Sequence, residues 1–210
     1  TSEELEALTG VSVLGQIPKM PIRKRTELLP YLTDKPASAA AEAIRNLRTS
    51  LLLHDIDNPP QLIMSTSAVP GEGKTTQSVA LAANLVSLGK RVLLIEGDVR
   101  RLTFQDYFGL PPKAPGLIAA LTGDAPLDEA LQHHDGSGMD ILVGGKAKAN
   151  PADLFASERF RQLLQELRGR YDYVVIDTPP VLVVPDALVI GQAVDAIVMA
   201  VAWDATSREQ

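Results

Sequence analysis

Leu62-Ile63-Met64-Ser65-Thr66-Ser67-Ala68-Val69-Pro70-Gly71-Glu72-Gly73-Lys74-Thr75-Thr76 is the stretch on which the fold turns. Its three leading apolar residues predict a buried strand. The run of small and apolar residues from Lys74 to Leu88, stopped by Gly89, predicts a helix packed closely on a sheet. Between them lies a glycine loop that opens a helix, the context a phosphate-binding loop requires. Gly71 and Gly73 permit backbone geometries closed to other residues, so main-chain N–H groups can surround an anion. The helix N-terminus adds its positive dipole end. Lys74 can bridge β- and γ-phosphates, and the Thr75 hydroxyl can ligate Mg²⁺. Residues 68–76, namely Ala68, Pro70, Gly71, Glu72, Gly73, Lys74, Thr75 and Thr76 with Val69, are therefore expected to seat ATP or ADP with Mg²⁺. The strict pattern begins with Gly; here Ala68 stands in that place.

Outward from this loop, strand and helix alternate. Strands are expected over residues 91–95, 139–143, 173–176 and 196–201. An amphipathic helix is expected over 157–168, with Phe160, Leu163, Leu164 and Leu167 on one side. Residues 103–134 read as short helices broken by Gly and Pro, with His133 and His134 on a surface loop. Continuous apolar strands separated by helices imply an α/β fold with a mostly parallel sheet covered on both faces.

Upstream, residues 1–37 read as an extension and 38–210 as the nucleotide-binding domain, with an early C-terminal stop expected after the last strand. Residues 2–8 suggest a short helix stopped by Gly10, and 11–17 a short strand. Residues 18–36 carry four prolines and the basic run Arg23-Lys24-Arg25, which predicts irregular structure. That run reads as a solvated loop or as a segment that touches anionic lipid. Ser38 is a candidate N-cap for a helix in which Ile44, Leu47 and Leu51 recur at helical spacing.

Two acidic motifs complete the chemistry. Val92-Leu93-Leu94-Ile95-Glu96-Gly97-Asp98-Val99-Arg100 delivers acidic groups to the carboxyl end of a strand, where ligands sit in open α/β sheets. Tyr173-Val174-Val175-Ile176-Asp177-Thr178-Pro179-Pro180 is an apolar strand ending in an Asp, suited to hold Mg²⁺ through water.

The chain's 210 residues suffice for one such domain, and 45% hydrophobic with 22% charged residues is an ordinary globular profile. A formal net charge of −6 argues against a nucleic-acid-binding surface. The absence of cysteine excludes disulfides and thiol catalysis. No apolar run approaches the roughly 18 residues of a membrane helix.

These motifs together resemble the bacterial tyrosine kinases, the cytoplasmic P-loop domains of polysaccharide co-polymerases, within the MinD/ParA-like subgroup. The resemblance rests on residues 65–75, 95–100 and 174–180. It rests also on Glu42-Ala43-Ile44-Arg45-Asn46-Leu47-Arg48, which is similar to the family's Glu-x-x-Arg-x-x-Arg self-association motif. It implies a protein-tyrosine (auto)kinase that regulates capsule or exopolysaccharide chain length and export. Partners would be protein tyrosines, further copies in a ring through Glu42, Arg45 and Arg48, and a membrane-embedded co-polymerase segment on the same or a partner chain, with no nucleic acid. The location implied is the cytoplasmic side of the inner membrane. Lys74 would neutralise the phosphates. Thr75, Asp98 and Asp177 would hold the metal, Arg100 would contact the nucleotide, and Glu96 would orient or deprotonate the tyrosine.

Two features depart from the family. Glu96 replaces the usual first Asp of the second motif. The C-terminal tyrosine cluster is absent, and Tyr31, Tyr107, Tyr171 and Tyr173 are scattered. Two other readings share the loop: a MinD/ParA-like switch ATPase, and a catalytically impaired regulatory module of an exporter. Switch ATPases carry a second Lys early in the loop, where this chain has Ala68-Val69-Pro70.

Overall fold

The computed structural model describes residues 1–207 and residue 209. In chain order the elements are α1 (Ser2–Thr9), α2 (Leu28–Asp34), α3 (Ala39–Leu53), β1 (Leu62–Ser67), α4 (Lys74–Val86), β2 (Val92–Glu96), α5 (Phe104–Phe108), α6 (Leu117–Thr122), α7 (Leu127–Ala130), β3 (Gln132–His134), β4 (Met139–Leu142), α8 (Pro151–Phe155), α9 (Glu158–Arg170), β5 (Tyr173–Asp177), α10 (Asp186–Gly191) and β6 (Ala196–Ala200). The six strands form one sheet in the order β3-β4-β2-β5-β1-β6, parallel throughout except where β3 pairs antiparallel with β4.

The two-residue period of the strands divides the core. Ile63, Leu94, Ile141 and Val175 point to a layer built by α2, α3, α4 and α5, with Leu28, Leu51, Leu85 and Phe104. Leu62, Leu93, Leu142 and Val174 point to the opposite layer, with Leu117, Phe155, Phe160 and Ile190. Helix starts follow the expected chemistry. Ser38 and Ser157 accept the N–H of Ala41 and Phe160 at 3.2 and 3.3 Å, and Gly10 closes α1 in the left-handed region at φ 68°.

Four local expectations give way to tertiary context. Residues 11–17 form no strand; Leu14 and Ile17 pack on the core instead, and the Val13 N–H donates to Glu6 Oε1 at 2.7 Å. The stretch 18–36 is not wholly irregular, because α2 forms within it. Its Pro30 lies in the first turn, where a missing N–H costs nothing, and Leu28 anchors it in the core. The histidines are not on a loop: His133 and His134 belong to edge strand β3. There His133 Nδ1 meets Asp140 Oδ1 at 2.8 Å, and His134 Nδ1 meets Ser137 Oγ at 2.8 Å. Finally, β6 is an edge strand covered on one side only, with Val198 and Ala200 buried but Ile197 and Met199 exposed.

Among the described residues, no helix is long and apolar enough to cross a membrane. All three residues of the basic run are exposed, and one of them is tied to the domain. Arg25 pairs with Asp106 Oδ2 at 2.6 Å and lies 5.7 Å over the Tyr107 ring.

Asp195 locks the far end of the sheet. Its carboxylate accepts the N–H groups of Gln61 and Leu62 at 2.9 and 2.8 Å and both Arg168 nitrogens at 2.9 and 2.7 Å. The Arg168 guanidinium holds this carboxyl down at about 2. A depressed folded-state value stabilises above the ordinary carboxylate range and loses that effect as pH falls toward the folded value. Asp195→Asn should therefore lower unfolding stability by about 1–2 kcal/mol near neutrality, allowing for partial solvent screening. The difference should shrink as pH falls through the range 4 to about 2, as read by denaturant titration at a series of pH values. A gap independent of pH would show that the ionised carboxylate is not what holds the corner.

Candidate active site

All six residues of β1 are buried, and the strand runs directly into the loop. Gly71 and Gly73 adopt φ of 85° and 84°, values that L side chains rarely take. The space around both is open, so conformation and not crowding demands glycine here. Helix α4 then starts at Lys74, directing its free N–H groups into the loop.

Lys74 stands between two carboxylates. Its Nζ is 3.5 Å from Asp98 Oδ2 and 3.5 Å from Asp177 Oδ2, with 11%, 9% and 2% of the three side chains exposed. The Thr75 hydroxyl donates to Asp177 Oδ2 at 2.8 Å, and Ser78 Oγ lies 3.0 Å from Asp177 Oδ1. Burial pushes the Asp177 carboxyl up to about 6, while the Lys74 charge and the two hydroxyls pull it back. The Thr75 hydroxyl and the carboxylates of Asp98 and Asp177 are hard oxygen donors of the kind Mg²⁺ selects. Among the described residues no group of three His, Cys, Asp or Glu converges as a complete metal cage. This donor set fits an ion that keeps phosphate and water ligands.

Gly97 explains how the two acidic motifs come together. Its N–H donates to the Asp177 carbonyl at 2.7 Å, and a Cβ at this position would sit 2.7 Å from that same oxygen. Any larger residue would force the two acid-bearing strand ends apart. Gly97 is thus a close-approach glycine, and no backbone slack is available here to re-aim Glu96.

Three expected roles change on this geometry. Glu96 is buried, and both its oxygens are occupied. Oε2 accepts the N–H groups of Thr103 and Phe104 at 2.8 Å each, and Oε1 accepts that of Gly144 at 3.0 Å. It caps α5, whose N-cap Thr103 makes no side-chain cap of its own. Burial raises its carboxyl above the ordinary range against the three N–H groups. In this arrangement it positions a loop and does not face a proton to remove. Arg100 is likewise committed elsewhere. Its Nε and Nη2 meet the Asp186 carboxylate at 3.0 and 3.1 Å, which ties the second acidic loop to the start of α10. The Glu72 side chain turns away from any phosphate. It accepts the Val69 N–H at 2.9 Å, the Ala202 N–H at 3.2 Å and the Thr206 hydroxyl, leaving only its main chain for an anion.

Ala68 is buried, and its carbonyl accepts the Leu182 N–H at 3.2 Å; Pro70 offers no N–H and contributes shape alone. Thr76 Oγ1 lies 3.0 Å from the Tyr107 hydroxyl. Glu42 and Arg45 pair with each other on α3, and Arg48 Nη1 donates to Asn84 Oδ1 at 2.7 Å. Sequence reasoning missed Ser78, Tyr107 and Asp186. Ser78 was findable, since it lies one helical turn beyond Lys74 and Thr75. Nothing in the sequence signals Asp186.

Comparison with known proteins bears on this geometry. A family model described as an AAA domain matches residues 55–208. The tyrosine-protein kinase etk of Escherichia coli (strain K12) is 39% identical over 173 residues, covering 82% of this chain and 24% of the relative. The tyrosine-protein kinase YwqD of Bacillus subtilis (strain 168) is 35% identical over 176 residues, covering 84% of this chain and 74% of the relative. The solved kinase domain of the Escherichia coli tyrosine kinase ETK superposes with a TM-score of 0.89 at 32% identity, over 99% of this chain and 83% of that one. The chain thus spans about a quarter of the length of the E. coli relative and about three quarters of the Bacillus one.

Proposed function

This chain belongs to the AAA-domain family that includes the bacterial tyrosine kinases, and on that premise we propose that it binds Mg-ATP or Mg-ADP at residues 68–76 and transfers a phosphoryl group to protein tyrosine. The observation that carries this reading is Lys74 held 3.5 Å from both Asp98 and Asp177 at the start of α4, with Thr75 bonded to Asp177. Phosphoryl transfer needs positioning and charge neutralisation more than covalent chemistry. The α4 N-terminus and the loop N–H groups would cradle the phosphates, and Lys74 would carry charge to them. Thr75, Asp98 and Asp177 would hold the metal, which when bound supplies electrostatic stabilisation of the phosphates. With Glu96 saturated by main-chain donors, Asp98 is the acidic group of the second motif left to face an acceptor hydroxyl.

The same reading proposes that α3 serves self-association through Glu42, Arg45 and Arg48. It also places the domain on the cytoplasmic side of the inner membrane, as part of or attached to a co-polymerase that controls polysaccharide export. Within one copy these three residues already have partners, so association must exchange those contacts. Exposed ion pairs contribute only about 0–1 kcal/mol each, and the assembly should weaken in salt.

The direct test incubates the purified chain with γ-labelled ATP, Mg²⁺ and a tyrosine-containing copolymer. Label in phosphotyrosine is the expected result. Free phosphate with no labelled acceptor would favour the switch-ATPase reading. Nucleotide binding with neither product would favour a regulatory module.

A further inference from the structure

The chain has one tryptophan, Trp203, and it lies on a turn tied to the phosphate-binding loop, largely exposed. Three quarters of its surface is exposed (75%). A single exposed apolar side chain is ordinary, so what distinguishes this one is the setting that holds it.

The turn that carries it is held to the loop at two points. Glu72, a residue of the loop itself, accepts the Ala202 N–H at 3.2 Å on one side of Trp203 and the Thr206 hydroxyl on the other. Between these anchors Asp204 takes φ 57°, the sole described non-glycine residue with positive φ. The Ala205 and Thr206 N–H groups donate to the Ala202 carbonyl at 3.4 Å. A left-handed residue outside glycine persists where the surroundings over-determine it. The ring is therefore presented on a built turn whose position follows that of the phosphate-binding loop.

Strand order says which part of a nucleotide would meet it. Around the loop the order is β2-β5-β1-β6. Asp98 follows β2 and Asp177 ends β5, both on one side of β1. Residues 202–206 follow β6, on the other, and Ser67 and Ala200 are register partners at the two strand ends. A nucleotide whose terminal phosphates lie toward Lys74, Asp98 and Asp177 has its nucleoside directed away from them, toward the exit of β6. We propose that Trp203 is the stacking platform for the purine base of the nucleotide bound at residues 68–76, with Glu72 coupling the seating of the phosphates to the position of the ring. This rests on the nucleotide-binding reading above and adds to it the contact that discriminates among bases.

The single tryptophan makes the test direct. Mg-ADP should change the intrinsic fluorescence of the unsubstituted chain saturably, whereas Mg-tripolyphosphate, which has the phosphates but no base, should bind with little change. In calorimetry Trp203→Ala should weaken Mg-ADP about tenfold, the scale of one base–aromatic stack. The same substitution should leave tripolyphosphate affinity unchanged and should narrow the preference for Mg-ADP over Mg-UDP. Trp203→Phe should restore most of the loss. Because the side chain is exposed, neither substitution removes core packing.

Equal Mg-ADP affinity in Trp203→Ala, with tripolyphosphate still bound, overturns the stacking role while leaving the phosphate site intact. Failure of the unsubstituted chain to bind either ligand removes the nucleotide reading and this one with it. A fluorescence change that tracks protein concentration and ignores Mg-ADP would assign Trp203, together with exposed Ile197 and Met199 of β6, to contact between copies, and would also overturn it.

Discussion

Lys74→Met is expected to lower phosphoryl transfer by at least about 10²-fold, the scale for removing one preorganised charge or donor from a transition state, and to weaken Mg-ADP in parallel. The second effect is structural. Lys74 is the cation between buried Asp98 and Asp177. Removing one member of such a group leaves the others uncompensated, at a cost of about 3 kcal/mol or more. Its pH dependence follows from Asp177, whose folded-state carboxyl is raised to about 6. A carboxyl raised on folding favours the folded state while protonated and loses that contribution as pH rises through its folded value. Methionine would raise it further. The destabilisation should therefore be small near pH 5 and widen toward pH 8 in denaturant titrations. Working near pH 6 keeps the variant folded for calorimetry with Mg-ADP. A variant that binds Mg-ADP as tightly as the parent chain would remove Lys74 from the phosphate site, whatever its effect on stability.

Glu96→Gln separates the two roles open to this residue. On the geometry described, the carboxylate receives three main-chain N–H groups, from Thr103, Phe104 and Gly144. Glutamine keeps one acceptor and turns an NH₂ toward a donor on the other side. The expected loss is about 1–3 kcal/mol of stability, the cost of an unsatisfied buried donor. Turnover should also fall, because α5 and the loop bearing Asp98 and Arg100 lose their anchor. Glu96→Asp should not rescue either loss. Its carboxylate is about 1.5 Å shorter, one bond length, and cannot span the donors on both sides, while Gly97 is pinned to the Asp177 carbonyl and has no freedom to compensate. The deciding measurements are the denaturant midpoint and the pH–rate profile of both variants. A Glu96→Gln chain with the parent midpoint and a turnover lower by about 10²–10⁴ would return Glu96 to the role of general base. A shifted midpoint with an unmoved pH profile establishes the positioning role.

The contrast between Lys74 and Glu96 shows where sequence reading stops. Lys74, Thr75 and the turn at Gly71 and Gly73 were legible because their geometry is local. A strand, a tight loop and a helix start that are contiguous in the chain place the N–H groups, the amine and the hydroxyl by short-range rules. Asp177 was legible because an apolar strand has only one end at which a ligand can sit. Glu96 occupies an equivalent strand end, and its residue type suits proton transfer. Its partners come from residues 103, 104 and 144, and no spacing in the chain announces them.

By itself, then, the sequence determined the class of the fold, the phosphate-binding loop, the two acidic strand ends, the Gly10 stop of α1 and the Ser38 cap of α3. In each case the determining interactions lie within a few residues or follow from hydrophobic period. The tertiary structure alone decided that residues 11–17 lack a strand partner while 132–134 find one, and that Arg100 belongs to Asp186. It decided too that Glu72 joins the loop to the turn bearing Trp203, and that β6 leaves Ile197 and Met199 uncovered. Those outcomes depend on which free hydrogen-bonding edge or buried carboxylate a distant segment meets. That is set by the order of strands in the sheet, and strand order is a property of the folded chain as a whole.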